Sequence, residues 1–131
     1  MAQRFHGVTA AVGDPVPVIR TDLTASGAYA SVRDFLHKSA RPPRGLVVGT
    51  YGQTAATIRA IVDSGLDIPG DIRVVGFDGS RNDYGQFRLT AAQQPVDVLT
   101  RRALSQLLDN SAVSDPIILS LRLGNTCGCP V

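Results

Sequence analysis

The sequence predicts an α/β fold in which a parallel sheet is flanked by helices. Three observations carry that prediction. Apolar residues recur at helical spacing in several segments, short β-rich runs stand between them, and single Gly and Pro residues mark the breaks. Helices alternating with such runs, joined by short turns, imply parallel strands linked by right-handed crossovers. A chain of 131 residues with no internal repeat or linker reads as one domain.

Taken in order, the spacing predicts a short helix over 3–12, a break at Gly13-Asp14-Pro15 and a strand over 16–19. Ala25, Ala28, Tyr29, Val32, Phe35 and Leu36 form the clearest amphipathic helix, with Asp22 or Thr24 as its cap. Arg41-Pro42-Pro43-Arg44 stops it, and 45–49 is an apolar run of the kind buried on both faces of a parallel sheet. The next helix covers 53–64, with Gly65 at its C′ position, and Pro69-Gly70 makes a turn. A β-rich run over 72–77 then delivers Asp78. After a polar stretch at 79–85 come a short strand at 89–92 and a helix over 95–109, with Pro95 at its first position. The stripe of that helix is Val96, Leu99, Ala103, Leu104, Leu107 and Leu108, and 116–123 is a last strand.

Composition excludes several functions. Hydrophobic residues make up 44% and charged residues 18%, and no run approaches the length of a membrane span. A net charge of +2, from 13 basic and 11 acidic residues spread along the chain, is too small for a nucleic-acid surface. The first residues lack the charged-then-apolar order of a secretion signal, so a cytoplasmic location without membrane contact is expected. Cys127 and Cys129 close too small a loop to staple a fold. They are either two thiolates for a zinc site, with His6 and His37 as the obvious further ligands, or reduced thiols in a C-terminal tail. No metal or cofactor is expected. The glycines of Val48-Gly49-Thr50-Tyr51-Gly52 lack the P-loop lysine and the dinucleotide spacing, and no nucleophile with a base can be assembled, so the chain is not expected to be an enzyme.

In parallel α/β sheets, ligands bind beyond the carboxyl ends of the strands. That rule selects 20–23, 49–53, 78–81 and 93–94, where polar residues gather.

Four stretches carry a family resemblance, and they stand in order. Arg4-Phe5-His6-Gly7 and Thr21-Asp22-Leu23-Thr24-Ala25-Ser26-Gly27 come first, followed by Ser64-Gly65-Leu66-Asp67-Ile68-Pro69-Gly70-Asp71-Ile72-Arg73-Val74-Val75-Gly76-Phe77-Asp78 and Leu89-Thr90-Ala91-Ala92-Gln93-Gln94-Pro95. Together they resemble the effector-binding part of LacI/GalR-type transcriptional regulators. The resemblance implies the C-terminal lobe of a periplasmic binding protein-like type I fold. It divides the chain into second lobe 1–92, crossover helix 93–112 and returning strand 113–131, with no helix-turn-helix. The implied function is sensing of a small effector, a sugar or nucleoside, by a homodimer that reaches DNA only through an N-terminal module absent from these residues. The alternatives are a sugar-binding component of an uptake system and a dimerisation module without ligand.

The expected ligand-binding residues are Arg4, Asp22, Thr50, Tyr51, Asp78 and Gln94. Arg4 matches the family's cleft arginine, whose planar fork suits hydroxyls or an anion; otherwise it is a solvated helix residue. Asp78 accepts from ligand hydroxyls or forms a turn, and Gln94 and Asp22 each bind ligand or cap a helix. Thr50-Tyr51 stands where the family has Asn-Asp, and Leu23 replaces an aromatic, although Tyr51 could supply a ring. Both departures point to a ligand less polar than a hexose, or to a lost ligand. The leucine face of 95–109 is expected to pack on this chain's own sheet or on a second copy.

Overall fold

The computed structural model describes residues 2–78, 83–109 and 115–130. Helix α1 (Ala2–Val12) is followed by α2 (Ala25–Lys38), strand β1 (Gly45–Val47), α3 (Tyr51–Asp63) and β2 (Arg73–Phe77). A small hairpin, β3 (Asp83–Tyr84) with β4 (Phe87–Arg88), leads into β5 (Thr90–Gln93), α4 (Val96–Asp109) and β6 (Ser120–Arg122). The main sheet has the order β1-β2-β5-β6. Its first three strands are parallel, while β6 runs antiparallel to β5, with Ser120 opposite Gln93. The sheet is therefore mixed rather than wholly parallel. The chain leaves β5 through Gln94-Pro95 and returns to that same end of the strand, so β6 must run backwards.

The core lies where α2 and α3 meet each other and the sheet. Val32 and Leu36 of α2, with Ile58 and Ile61 of α3, pack on Ile72, Val74 and Leu89. Burying each such side chain stabilises the fold by about 1.5–3 kcal/mol. Helix α3 ends in a Schellman motif: the Leu66 N–H donates to the Ile61 carbonyl at 3.3 Å and the Gly65 N–H to that of Val62 at 2.9 Å. This geometry puts Gly65 at φ +76°, the left-handed region glycine enters without a Cβ penalty.

Several sequence expectations change. Residues 16–19 form no strand; Pro15 and Pro17 lack N–H donors, and no described strand pairs with the segment. Strand β1 is not buried on both faces: as the sheet's edge it leaves Val47 49% exposed. The polar stretch at 79–85 hides the first strand of the β3–β4 hairpin, turned at Gly85 with φ +64°, while 79–82 lie outside the described residues. The last strand shrinks to three residues. Helix α4 does not pack on the chain's own sheet, since none of its residues is buried.

Nor are the residues after β6 a loose tail. Gly124 passes so close to the Arg88 carbonyl that a Cβ there would sit 2.0 Å from its oxygen. Beyond it, Thr126 is fully buried between the starts of β2 and β5. Its hydroxyl accepts from the Thr90 N–H at 3.0 Å and donates to the Val74 carbonyl at 2.7 Å. Its own carbonyl accepts from the Val74 N–H at 2.8 Å. One residue thus stands in for the missing extension of β5. Thr126→Val keeps the volume and orphans the Thr90 N–H. We expect it to cost about 1–3 kcal/mol in urea unfolding, with Thr126→Ser recovering most of the loss.

Candidate functional site

Asp78 leaves β2 at φ +64°, a left-handed conformation that aspartate tolerates better than most residues. Its carboxylate accepts from Arg4 Nη2 at 2.9 Å, and its other oxygen accepts from the Gln94 side-chain amide. The second terminal nitrogen of Arg4 donates to the carbonyl of Gly49, just after β1. The Arg4 guanidinium also lies over the Phe77 ring, 4.8 Å from its centroid. One arginine on the first turn of α1 therefore gathers the carboxyl ends of β1, β2 and β5. Both partners of the ion pair stay about 30% exposed to solvent.

A second chain of hydrogen bonds runs alongside. Thr50, the residue before α3, donates through its hydroxyl to Gln53 Oε1 at 2.7 Å, and the Gln53 amide donates to the Thr21 hydroxyl. Gln53 is 7% exposed, a buried polar side chain satisfied at both ends. Tyr51 opens α3. Burial pushes the Tyr84 phenol above its usual range, and the neighbouring Tyr51 adds to the shift. Among the described residues the Tyr84 hydroxyl has no partner in hydrogen-bond geometry.

Asp22 is engaged in capping. Its carboxylate accepts from the Thr24 N–H at 2.9 Å and the Thr24 hydroxyl at 2.7 Å, and Thr24 caps α2 by accepting from the Gly27 N–H at 2.9 Å. Leu23, between them, is held at φ +69°, which a leucine adopts only when its neighbours enforce it.

Of the expected residues, the structure brings Arg4, Asp78 and Gln94 together. It joins Thr50 to a neighbouring network, leaves Tyr51 beside Tyr84, and commits Asp22 to the helix end. Thr21 and Gln53 lie in stretches the strand-end rule selects but were not singled out as site residues, and Phe77 and Tyr84 were missed. Thr50-x-x-Gln53 has the spacing of a capping box, a signal that could have singled out Gln53.

An open groove of about 420 Å³, lined by Gln3, Arg4, Gly7, Val8, Ala11 and Phe77, adjoins the ion pair. A second, of about 440 Å³, lies against α2 and is lined by none of these site residues. Among the described residues, no three His, Cys, Asp or Glu side chains gather where they could hold a metal. The arrangement is one of donors and acceptors around a charge pair, suited to binding rather than to bond cleavage.

Residues 2–119 match a family profile described as a periplasmic binding protein-like domain. The chain is 33% identical over 96 residues to an uncharacterized HTH-type transcriptional regulator of Streptomyces limosus, a match spanning 72% of this chain and 26% of the relative. Over 93 residues it is 33% identical to the HTH-type transcriptional repressor PurR of Photorhabdus laumondii, covering 70% and 27%. It thus spans about a quarter of the length of these curated relatives. Among solved structures, it is similar to a LacI family transcriptional regulator from an Arthrobacter species in complex with lactose. There the TM-score is 0.80 at 19% identity, over 95% of this chain and 49% of that one. An uncharacterized protein from Actinobacillus succinogenes gives a TM-score of 0.71 at 29% identity, over 81% and 40%.

The α2 cap yields a test. Hydrogen bonds from the Thr24 hydroxyl and amide hold the Asp22 carboxyl below the usual aspartate range. A group so lowered adds stability that is present above its unfolded value, about pH 3.9, and lost as pH falls through the folded one. We expect Asp22→Ala to lower Tm at neutral pH, and the gap to wild type to close on acidification below that range. A Cβ on Gly27 would sit 1.9 Å from an Asp22 oxygen, so Gly27→Ala should destabilise by displacing the same carboxylate. The two losses should then combine to less than their sum in the double variant.

Proposed function

The chain belongs to the periplasmic binding protein-like domain family, and on that premise we propose that it is the ligand-sensing and dimerising part of a LacI-type transcriptional regulator. It binds a small molecule, a sugar or nucleoside, to control DNA binding by a module outside these residues. The observation that carries the reading is the Arg4–Asp78–Gln94 cluster, which ties the carboxyl ends of three strands together where α/β sheets bind ligands. Ligand hydroxyls exchange for the bonds these residues make with one another, and binding therefore changes how the strand ends are held. That is a differential interaction of the kind a switch requires.

The names of two relatives, an HTH-type transcriptional regulator and an HTH-type transcriptional repressor, support a binding protein rather than an enzyme. No helix among the described residues is long and apolar enough to cross a membrane. A cytoplasmic location is part of the proposal. With Thr50-Tyr51 where relatives of this type carry a paired amide and carboxylate, and with Leu23 59% exposed, the preferred ligand is less polar than a hexose.

Thermal-shift screening of the intact regulator against sugars, nucleosides and purines tests the sensing function. A ligand at a hundred times its Kd should stabilise the fold by about 2.7 kcal/mol. Arg4→Met and Asp78→Asn should each weaken it, roughly tenfold to a hundredfold, as expected for losing a charged hydrogen bond of about 1.5–3 kcal/mol. No shift across the panel would leave a dimerisation module without ligand.

Self-association rests on a different feature. Leu104, Leu107 and Leu108 of α4 are 51%, 81% and 80% exposed, an apolar stripe that favours association. Sedimentation should find a dimer that Leu107→Lys with Leu108→Lys converts to monomer; a monomeric wild type at high concentration would sink the homodimer.

A further inference from the structure

We infer that Cys127 and Cys129 form a built dithiol site that small peroxides oxidise to an internal disulfide. The pair is anchored in the folded body. Cys127 follows Thr126, the residue clamped between β2 and β5, and is only 9% exposed, whereas Cys129 is exposed. Gly128 between them adopts φ +66°, a left-handed turn that folds the two cysteines back on each other. The Cys129 N–H donates to Cys127 Sγ at 3.2 Å, while the Cys127 thiol donates to the Gly124 carbonyl at 3.7 Å. Arg73 closes the site on its other side: a Cβ on Gly128 would lie 3.3 Å from its Nε.

This arrangement divides the work between the sulfurs. The exposed Cys129 is the one a peroxide can reach, and the buried Cys127 is the one placed to resolve the product. Burial pushes the Cys127 thiol up, but its contacts with Cys129, including the amide bond, and with Thr90 outweigh that and hold it below its usual range. The Cys129 thiol is raised by its contact with Cys127. In the first step the exposed Cys129 gives up its proton and its sulfur attacks a peroxide oxygen. A sulfur–oxygen bond forms, the oxygen–oxygen bond breaks, and the leaving hydroxide takes a proton to become water. In the second, the Cys127 thiolate attacks the sulfenic sulfur; the sulfur–sulfur bond forms and a second water leaves. Two thiols are oxidised and one hydrogen peroxide is reduced to two waters, or an organic hydroperoxide to its alcohol and one water. A disulfide across a single residue closes a tight ring, and strained disulfides are the readily reduced, regulatory kind.

The test is the mass of the full chain after hydrogen peroxide, with dimedone present to trap sulfenic acid. Wild type should lose two hydrogens, carry no dimedone, and return to its starting mass with dithiothreitol. Cys127→Ser should carry dimedone on Cys129, and Cys129→Ser should react many-fold more slowly than either. Because a variant at buried Cys127 can misfold, wild type is also compared folded and in urea, with disulfide formation expected to be several-fold faster in the folded chain. Dimedone on wild-type Cys129 at the level seen in Cys127→Ser would overturn the proposal, as would equal rates folded and unfolded.

Discussion

The sheet depends on how β2 is held at its two ends. Its ladder to β5 covers only Val75 to Phe77, and Val74 would be left with unpaired backbone groups at the edge of the core. Thr126 satisfies both of them and ties Thr90 of β5 into the same knot. A buried backbone group without a partner costs as much as a lost hydrogen bond, so this one residue decides whether the β2–β5 pairing can begin where it does. At the other end the Asp78 N–H donates to the Ala92 carbonyl at 3.0 Å, extending the pairing to the residue whose carboxylate meets Arg4. The strand is thus fixed below by a hydroxyl and above by an ion pair.

The polar cluster at the upper end is held by its own members. Arg4 is placed on the first turn of a helix with no acidic residue to offset its charge against the helix dipole. It is paid for by Asp78, the Gly49 carbonyl and the Phe77 ring together. An exposed pair of this kind contributes little to stability by itself. Its value lies in arrangement: three strand ends share one guanidinium, and a molecule that claims that guanidinium addresses all three at once.

The alternation of helical and β-rich patterns was enough to read α2, α3, β2 and β5, because their apolar faces are buried and the period survives in the sequence. The positions of Asp78 and Gln94 were legible for a related reason, since each stands just beyond a β-rich run at the carboxyl edge of the sheet. What stayed hidden depended on partners remote in sequence. The extended 16–19 segment has strand-like residues but no neighbour, and the β3–β4 hairpin is too short to show a period. Asp22 reads equally well as a ligand contact or as a helix cap. Only the close fit of the Asp22 carboxylate against Gly27 decides for the second. Thr126 carries no periodic signal at all, and its role follows from bonds to residues 36 and 52 positions away.

Those separations bear on how the protein is made. Synthesis delivers β1, α3, β2 and β5 well before the residues that seal the start of β2. Until residue 126 is available, Val74 presents an open backbone edge beside apolar core surface, the kind of template on which another chain can pair. The nascent sheet is therefore most exposed to aggregation in the interval between the completion of β5 and the arrival of Thr126.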